Sequence, residues 1–251
     1  AVQPLRTEKG DGPGNPIDFF VKRKLKGENL SLAKEAGPYE FIRRASYDLW
    51  GLPPKPKEVE VFVQSFEKDP LRAKVELVDR LLADSAYGER WATHESDGYR
   101  ADGFRPSAYL YRDYVIRSLN GDKPYDQFVR EQLAGDEIDP EDFDHMVATG
   151  FLRHGVYEWN QRDARMQWEL ILNEMTNVTG EVFLGLGIGC AQCHDHKFDP
   201  ILQKDYYSLQ SFLSSVWWPE DEKLSKASDM TKLREWEMET LQVRKEIRKI
   251  E

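Results

Sequence analysis

Apolar positions recur along this chain at spacings of three and four, the period of a helix with one buried face. Phe19, Phe20 and Leu25 are the apolar positions of a helix expected over about 17–26, and Asn15 before Pro16 is a helix-start signal, a capping residue followed by proline at the first helical position. Phe41, Ile42, Ala45 and Leu49 predict a helix from Tyr39 to Trp50, stopped by Gly51 and Pro53. Lys57–Glu67 and Leu71–Ala83 repeat the pattern, the latter with Val75, Val78, Leu81 and Leu82 on one side. Further helices are expected over Ser85–Glu95, Ala108–Leu119, Tyr125–Leu133, Glu141–Leu152, Ala164–Leu184 and Asp205–Val216. Proline, glycine or aspartate separates most of them. Alternation with a period of two, bounded by hairpin turn signals, is absent. The expected fold class is therefore all-α: an irregular multi-helix domain with long connecting loops.

The two ends read differently. Residues 1–16 are polar and rich in Gly and Pro, as in a linker. Near the other end, Leu233, Trp236, Val243, Ile247 and Ile250 keep a three-four spacing through dense charge, which describes an amphipathic helix. The expected organisation is a linker over 1–16, a helical domain over 17–220, and a linker helix over 221–251 leading to a downstream domain. A long surface helix is the plainer reading of that last stretch.

Composition narrows the partners. Lys and Arg number 35 against 45 Asp and Glu, a formal charge of −10. An acidic chain binds phosphate backbones poorly, so no nucleic-acid partner is expected. With 40% apolar residues the chain can build a core. Its longest nearly apolar run, from Val182 to Ala191, is too short to span a bilayer as a helix, so no transmembrane segment is expected.

Two cysteines exclude a disulfide scaffold, but their placement carries chemistry. Cys190-Ala191-Gln192-Cys193-His194 is C-x-x-C-H, the attachment signature of c-type haem. Cysteines three apart lie about one turn apart, so both sulfurs can form thioethers with the vinyl groups on one porphyrin edge. The following imidazole then becomes an axial ligand of the iron through Nε2. Phe183, Leu184, Leu186 and Ile188 could wall an apolar pocket, and Gly185, Gly187 and Gly189 let backbone approach a flat ring. Other readings stand beside this one. A thioredoxin-like pair wants a βαβ context. Zinc bound by Cys190, Cys193 and His194 or His196 would need a further ligand. A simple local disulfide would need nothing more.

The segment from Thr179 to Pro200, with Cys190, Cys193, His194 and His196 in it, resembles the planctomycete-type cytochrome family. This is the second of two cytochrome domains in large exported planctomycete proteins, long catalogued as a domain of unknown function. The resemblance extends over Ile17 to Val21, Phe41 to Phe62, Leu77 to His94, Tyr111 to Glu137 and Ala148 to Phe151. It implies one covalently attached haem c, between an upstream cytochrome domain and a downstream domain, and no defined reaction. The chain departs from the family pattern after His94, where members carry about eight further residues. That departure bears directly on how His94 is placed.

The sixth iron position decides what such a haem does. Met or His there gives a saturated electron-transfer centre, and an open face allows peroxide or small-ligand chemistry. His94 is the first candidate and His154 the second. His196 follows the axial histidine too closely to reach the other face and fits a propionate or the Asp199-Pro200 turn instead. Met146, Met166 and Met175 are alternatives, though core packing is the ordinary role of such methionines. His145 is expected to be solvated near a helix start. The stretch from Tyr109 to Tyr114 reads as a core face with polar tips, or as a sugar-binding surface.

Three functions follow, none with a defined catalytic residue. The first is a mono-haem electron-transfer domain within a larger exported redox protein, working with a partner cytochrome or redox domain. The second is a haem enzyme of peroxidase or oxidase type with an open distal site. The third is a non-haem structural module with a disulfide or zinc at Cys190 and Cys193. Bacterial haem c is attached outside the cytoplasmic membrane, so the expected location is the periplasm or cell envelope.

Overall fold

The computed structural model describes residues 15–95, 108–153 and 163–217, with side chains described except at 93–95 and 108. These residues form ten α-helices and two 3-10 turns, and among them there is no strand. No described helix is long and apolar enough to cross a membrane. The chain divides into two compact units, Ala1–Tyr87 with Lys197–Ile201, and Gly88–His196 with Leu202–Glu251.

The first unit opens with α1 (Pro16–Gly27), which buries no residue, followed by α2 (Pro38–Trp50), α3 (Pro56–Lys68) and α4 (Pro70–Leu82). Each begins on proline, whose fixed φ suits the first helical position and whose missing N–H is not needed there. Side chains satisfy the neighbouring N–H groups. Asn15 accepts from Ile17 N–H (2.8 Å) and Asp69 from Arg72 N–H (3.1 Å). Glu58 reaches back to Lys55 N–H (2.8 Å). Gly51 ends α2 at φ +73°, a left-handed position that glycine reaches without strain. The inner faces of α2, α3 and α4 meet at Ile42, Phe62, Ala73, Leu77 and Leu81.

The second unit is built from α5 (Ala86–Glu95), which begins two residues earlier, α6 (Ala108–Asn120), α7 (Tyr125–Ile138), α8 (Phe143–Ala148), α9 (Ala164–Leu184) and α10 (Gln203–Leu213). Tyr111, Tyr114, Val115, Phe128, Phe151, Ile171 and Met175 form much of its core. Tyr114 stacks on Phe128 with ring centroids 6.0 Å apart. The Tyr109–Tyr114 stretch is thus a core face at Tyr111 and Tyr114, while Tyr109 is exposed.

Three elements depart from the spacing-based expectation. Helix α7 continues past Gly135 to Ile138, kinked at Ala134 (φ −152°, ψ 31°). The α8 backbone closes on the kink so tightly that a Cβ on Gly135 would lie 2.3 Å from the His145 carbonyl oxygen. The single helix expected over 141–152 is α8 followed by a 3-10 turn, Thr149–Arg153. The change falls where the Thr149 hydroxyl donates to the Met146 carbonyl (2.8 Å), next to Gly150, a poor helix former. Helix α10 starts two residues early because Asp205 sits one turn inside it, accepting from Leu202 N–H (2.9 Å).

Candidate metal centre

Helix α9 delivers the chain to the cysteine motif. Asp163 caps its start through Met166 N–H (3.0 Å), and Gly185 ends it at φ +62°. Gly185 N–H and Leu186 N–H turn back to the carbonyls of Glu181 and Gly180, each at 3.2 Å. The chain then enters a 3-10 turn, Ile188–Gln192. Ile188 is buried against Gly180 of α9, where an added Cβ would sit 2.6 Å from its Cδ1. Glycine at 180 is what lets the turn lie down on the helix.

The turn carries the motif. Cys193 N–H and His194 N–H both donate to the Cys190 carbonyl, at 3.3 and 3.4 Å, so Cys190, Cys193 and His194 are wound into about one turn. Ala191 is fully buried, whereas both thiols are free and exposed. Helix α10 holds the far side. Gln203 N–H donates to the Asp195 carboxylate (2.8 Å), while Tyr207 OH (3.0 Å) and Gln203 Nε2 (3.1 Å) donate to the Gln192 carbonyl. Tyr206, one residue along, is buried in the seam between α9 and α10. Burial, with Tyr207 and Cys193 nearby, pushes its hydroxyl up to about 12.

His194 is exposed, and its Nδ1 lies 2.8 Å from the Asp195 carbonyl oxygen. A carbonyl can only accept, so the proton is assigned to Nδ1, and in the neutral ring Nε2 is then the nitrogen with the lone pair. That tautomer suits an imidazole that ligates through Nε2.

The other expected positions divide. His196 is half-buried two residues further on. His94 lies in the last turn of α5, its side chain outside the described residues, and His154 lies outside them altogether. Met175 is a core residue, Met146 is half-buried and Met166 is exposed. The anticipated apolar wall is spent largely on the protein itself. Phe183 packs on Phe151 with ring centroids 4.7 Å apart, Ile188 lies on Gly180, and Leu184 is exposed. Among the described residues, no group of three or more His, Cys, Asp or Glu side chains gathers as a metal cluster.

His145 is not solvated as its position near a helix start suggests. Its side chain is 21% exposed, with Nε2 3.5 Å from Glu131 and Nδ1 buried without a hydrogen bond. Its packing partner lies on another helix, out of reach of local sequence pattern. Glu131, buried on α7, accepts from Tyr114 OH (2.8 Å), Gln127 Nε2 (2.7 Å) and the Lys123 ammonium. Burial alone would raise this carboxyl, but the donors from Lys123, Tyr114 and Gln127 outweigh it and hold Glu131 below the ordinary carboxylate range. Burial and the adjacent Glu131 push the Tyr114 hydroxyl well above its usual value. Three donors occupy the carboxylate, from Tyr114 on α6, Gln127 on α7 and Lys123 between the two helices, so it ties α6 to α7. Glu131 is separated from its donors by 4, 8 and 17 residues, a spread that helical periodicity does not reveal.

The family model for PSCyt2, described as a protein of unknown function (DUF1549), matches residues 16–217. The chain belongs to the PSCyt2 family. The match begins on the first residue of α1 and ends just past α10, so the PSCyt2 region takes in every described helix of both units. The name refers to a planctomycete cytochrome domain, in line with the resemblance carried by the C-x-x-C-H segment. No curated protein and no solved structure matches this PSCyt2 chain.

Proposed function

We propose that the chain is a mono-haem c-type cytochrome domain that carries electrons within a larger exported redox protein. The observation that carries this reading is the turn at Cys190–His194, with two free exposed thiols and an imidazole whose Nε2 is the free nitrogen. The donor set fits the group. Two thiols and one imidazole suffice to hold a porphyrin iron, whereas a bare zinc ion needs four ligands. A bound haem supplies a one-electron couple.

The chain's own residues do the rest. Cys190 and Cys193 anchor the cofactor by thioether bonds, and His194 ligates it through Nε2. The Asp195 carbonyl holds the ring orientation and raises the basicity of Nε2. Gln203 and Tyr207 keep the turn in register with α10. His196 is assigned to a propionate or to the Asp199-Pro200 turn, and His94 to the sixth position, with His154 as the alternative. The net charge of −10 favours a basic partner cytochrome or redox domain. Thioether attachment, which in bacteria takes place outside the cytoplasmic membrane, supports a location in the periplasm or cell envelope.

Absorption spectra in the oxidised and reduced states, with carbon monoxide and with peroxide, test the electron-transfer assignment. Six-coordinate low-spin iron in both states, without peroxide turnover, is expected. Five-coordinate reduced iron that binds carbon monoxide and turns over peroxide rapidly would replace it with a haem enzyme.

A further inference from the structure

Helix α9 grips the cysteine turn at two places, and the second has an unfinished hydrogen bond. At the first, Ile188 lies on Gly180. One turn earlier on the same helix face, Asn177 meets Gly189, the residue before Cys190. A Cβ on Gly189 would lie 3.4 Å from Asn177 Oδ1 and 3.6 Å from both Cγ and Nδ2, so the whole carboxamide faces the glycine. Asn177 Oδ1 is buried and has no hydrogen-bond partner. Buried polar atoms are almost always paired, so an orphan of this kind calls for a donor.

The turn has one to offer. A 3-10 helix leaves its first N–H groups without partners inside the helix. Ile188 N–H donates to the Leu186 carbonyl (2.9 Å). Gly189 N–H is the next in line, on the residue that Asn177 faces. We propose that Asn177 is the positioning residue of the attachment turn, its amide oxygen accepting the Gly189 N–H in the haem-loaded protein. This rests on the cytochrome reading above. Asn177 then acts as an N-cap supplied by a neighbouring helix. It fixes the turn on α9 so that both sulfurs and His194 face one ring together. The polar side chains of Asn173, Thr176 and Asn177 on this side of α9 fit that role, since Asn173 already accepts from Gln210 Nε2 (2.8 Å) on α10.

The test is residue-resolved amide exchange on the full chain, exported with the haem-attachment machinery, with covalent haem read by intact mass on the same samples. In Asn177→Leu, Gly189 N–H exchange should rise about tenfold, the loss of one hydrogen bond of ordinary strength, and the haem-loaded fraction should fall. Asn177→Asp keeps an acceptor at the same place and should restore both. Unchanged Gly189 exchange in Asn177→Leu would overturn the assignment, as would equal losses in the two variants. If Asn177→Leu does not fold, Gly189 exchange in the wild type decides, because a fast-exchanging amide in the folded, loaded protein contradicts the bond. A wild type without covalent haem would instead sink the cytochrome reading.

Discussion

Glu131 shows how much can hang on one residue. Its carboxylate is buried with a Lys123 ammonium, a Tyr114 hydroxyl and a Gln127 amide all donating to it. Glu131→Leu strands the first two, and breaking a buried charged pair costs about 3 kcal/mol. Urea denaturation of the variant measures it. The pH dependence follows in sign. The folded carboxyl titrates below its ordinary value, so its contribution is complete above about pH 4.5 and is lost as pH falls through the depressed folded value. Tyr114 works at the other end. Its folded value is raised, so its contribution is complete below about pH 10 and is lost as pH rises beyond. Stability measured against pH should lose its steepest acid step in Glu131→Leu. A wild-type acid limb retained in that variant would show that other carboxylates set it.

Gly180 is the matching residue at the cysteine turn. A side chain there meets Ile188 at 2.6 Å. Gly180→Val should cost about 1–3 kcal/mol from overpacking and should reduce haem loading, because it lifts the turn off α9. Chemical denaturation and the ratio of haem absorbance to protein absorbance read the two effects separately. Wild-type loading in this variant would mean that the seat on α9 does not matter to attachment.

At the scale of elements, the helices were legible because each carries its own periodicity and its own stop. Asn15-Pro16 and Gly51 mark α1 and α2 by local chemistry alone. The span of α9, Ala164 to Leu184, is the expected one, since Asp163 and Gly185 bracket it. The elements that depart from local periodicity depend on contacts from elsewhere. Gly135 reads as a stop, yet α7 runs through it because the α8 backbone needs the space a side chain would fill. The candidate site divides the same way. Cys190, Cys193 and His194 are contiguous and announce themselves, whereas Gln203, Tyr207 and Asn177 join them only through folding. Polar residues on the inner side of α9, at 173, 176 and 177, were the available signal for Asn177. Gly185→Ala tests the element boundary. It forces a left-handed φ on a residue with a Cβ and should lower stability by about 1 kcal/mol, read as a shifted urea midpoint. No shift would show that the α9 end relaxes freely.

At the scale of the molecule, a small cysteine turn is served by a large helical scaffold. The PSCyt2 match over 16–217 includes a first unit, α1 to α4, that contains no part of the C-x-x-C-H motif. The family is therefore more than a wrapper for five residues. The charge of −10 grows more negative with a haem, whose propionates add to it. Covalent haem at Cys190 and Cys193 is open to direct measurement. The chain is expressed with export and haem-attachment machinery, extracted with acid acetone, and weighed intact. The haem absorbance should stay with the protein, the mass should rise by one haem, and both should be lost in the Cys190→Ala, Cys193→Ala double variant. Haem that extracts fully into the acetone, or a wild-type mass equal to that of the bare chain, would contradict covalent attachment.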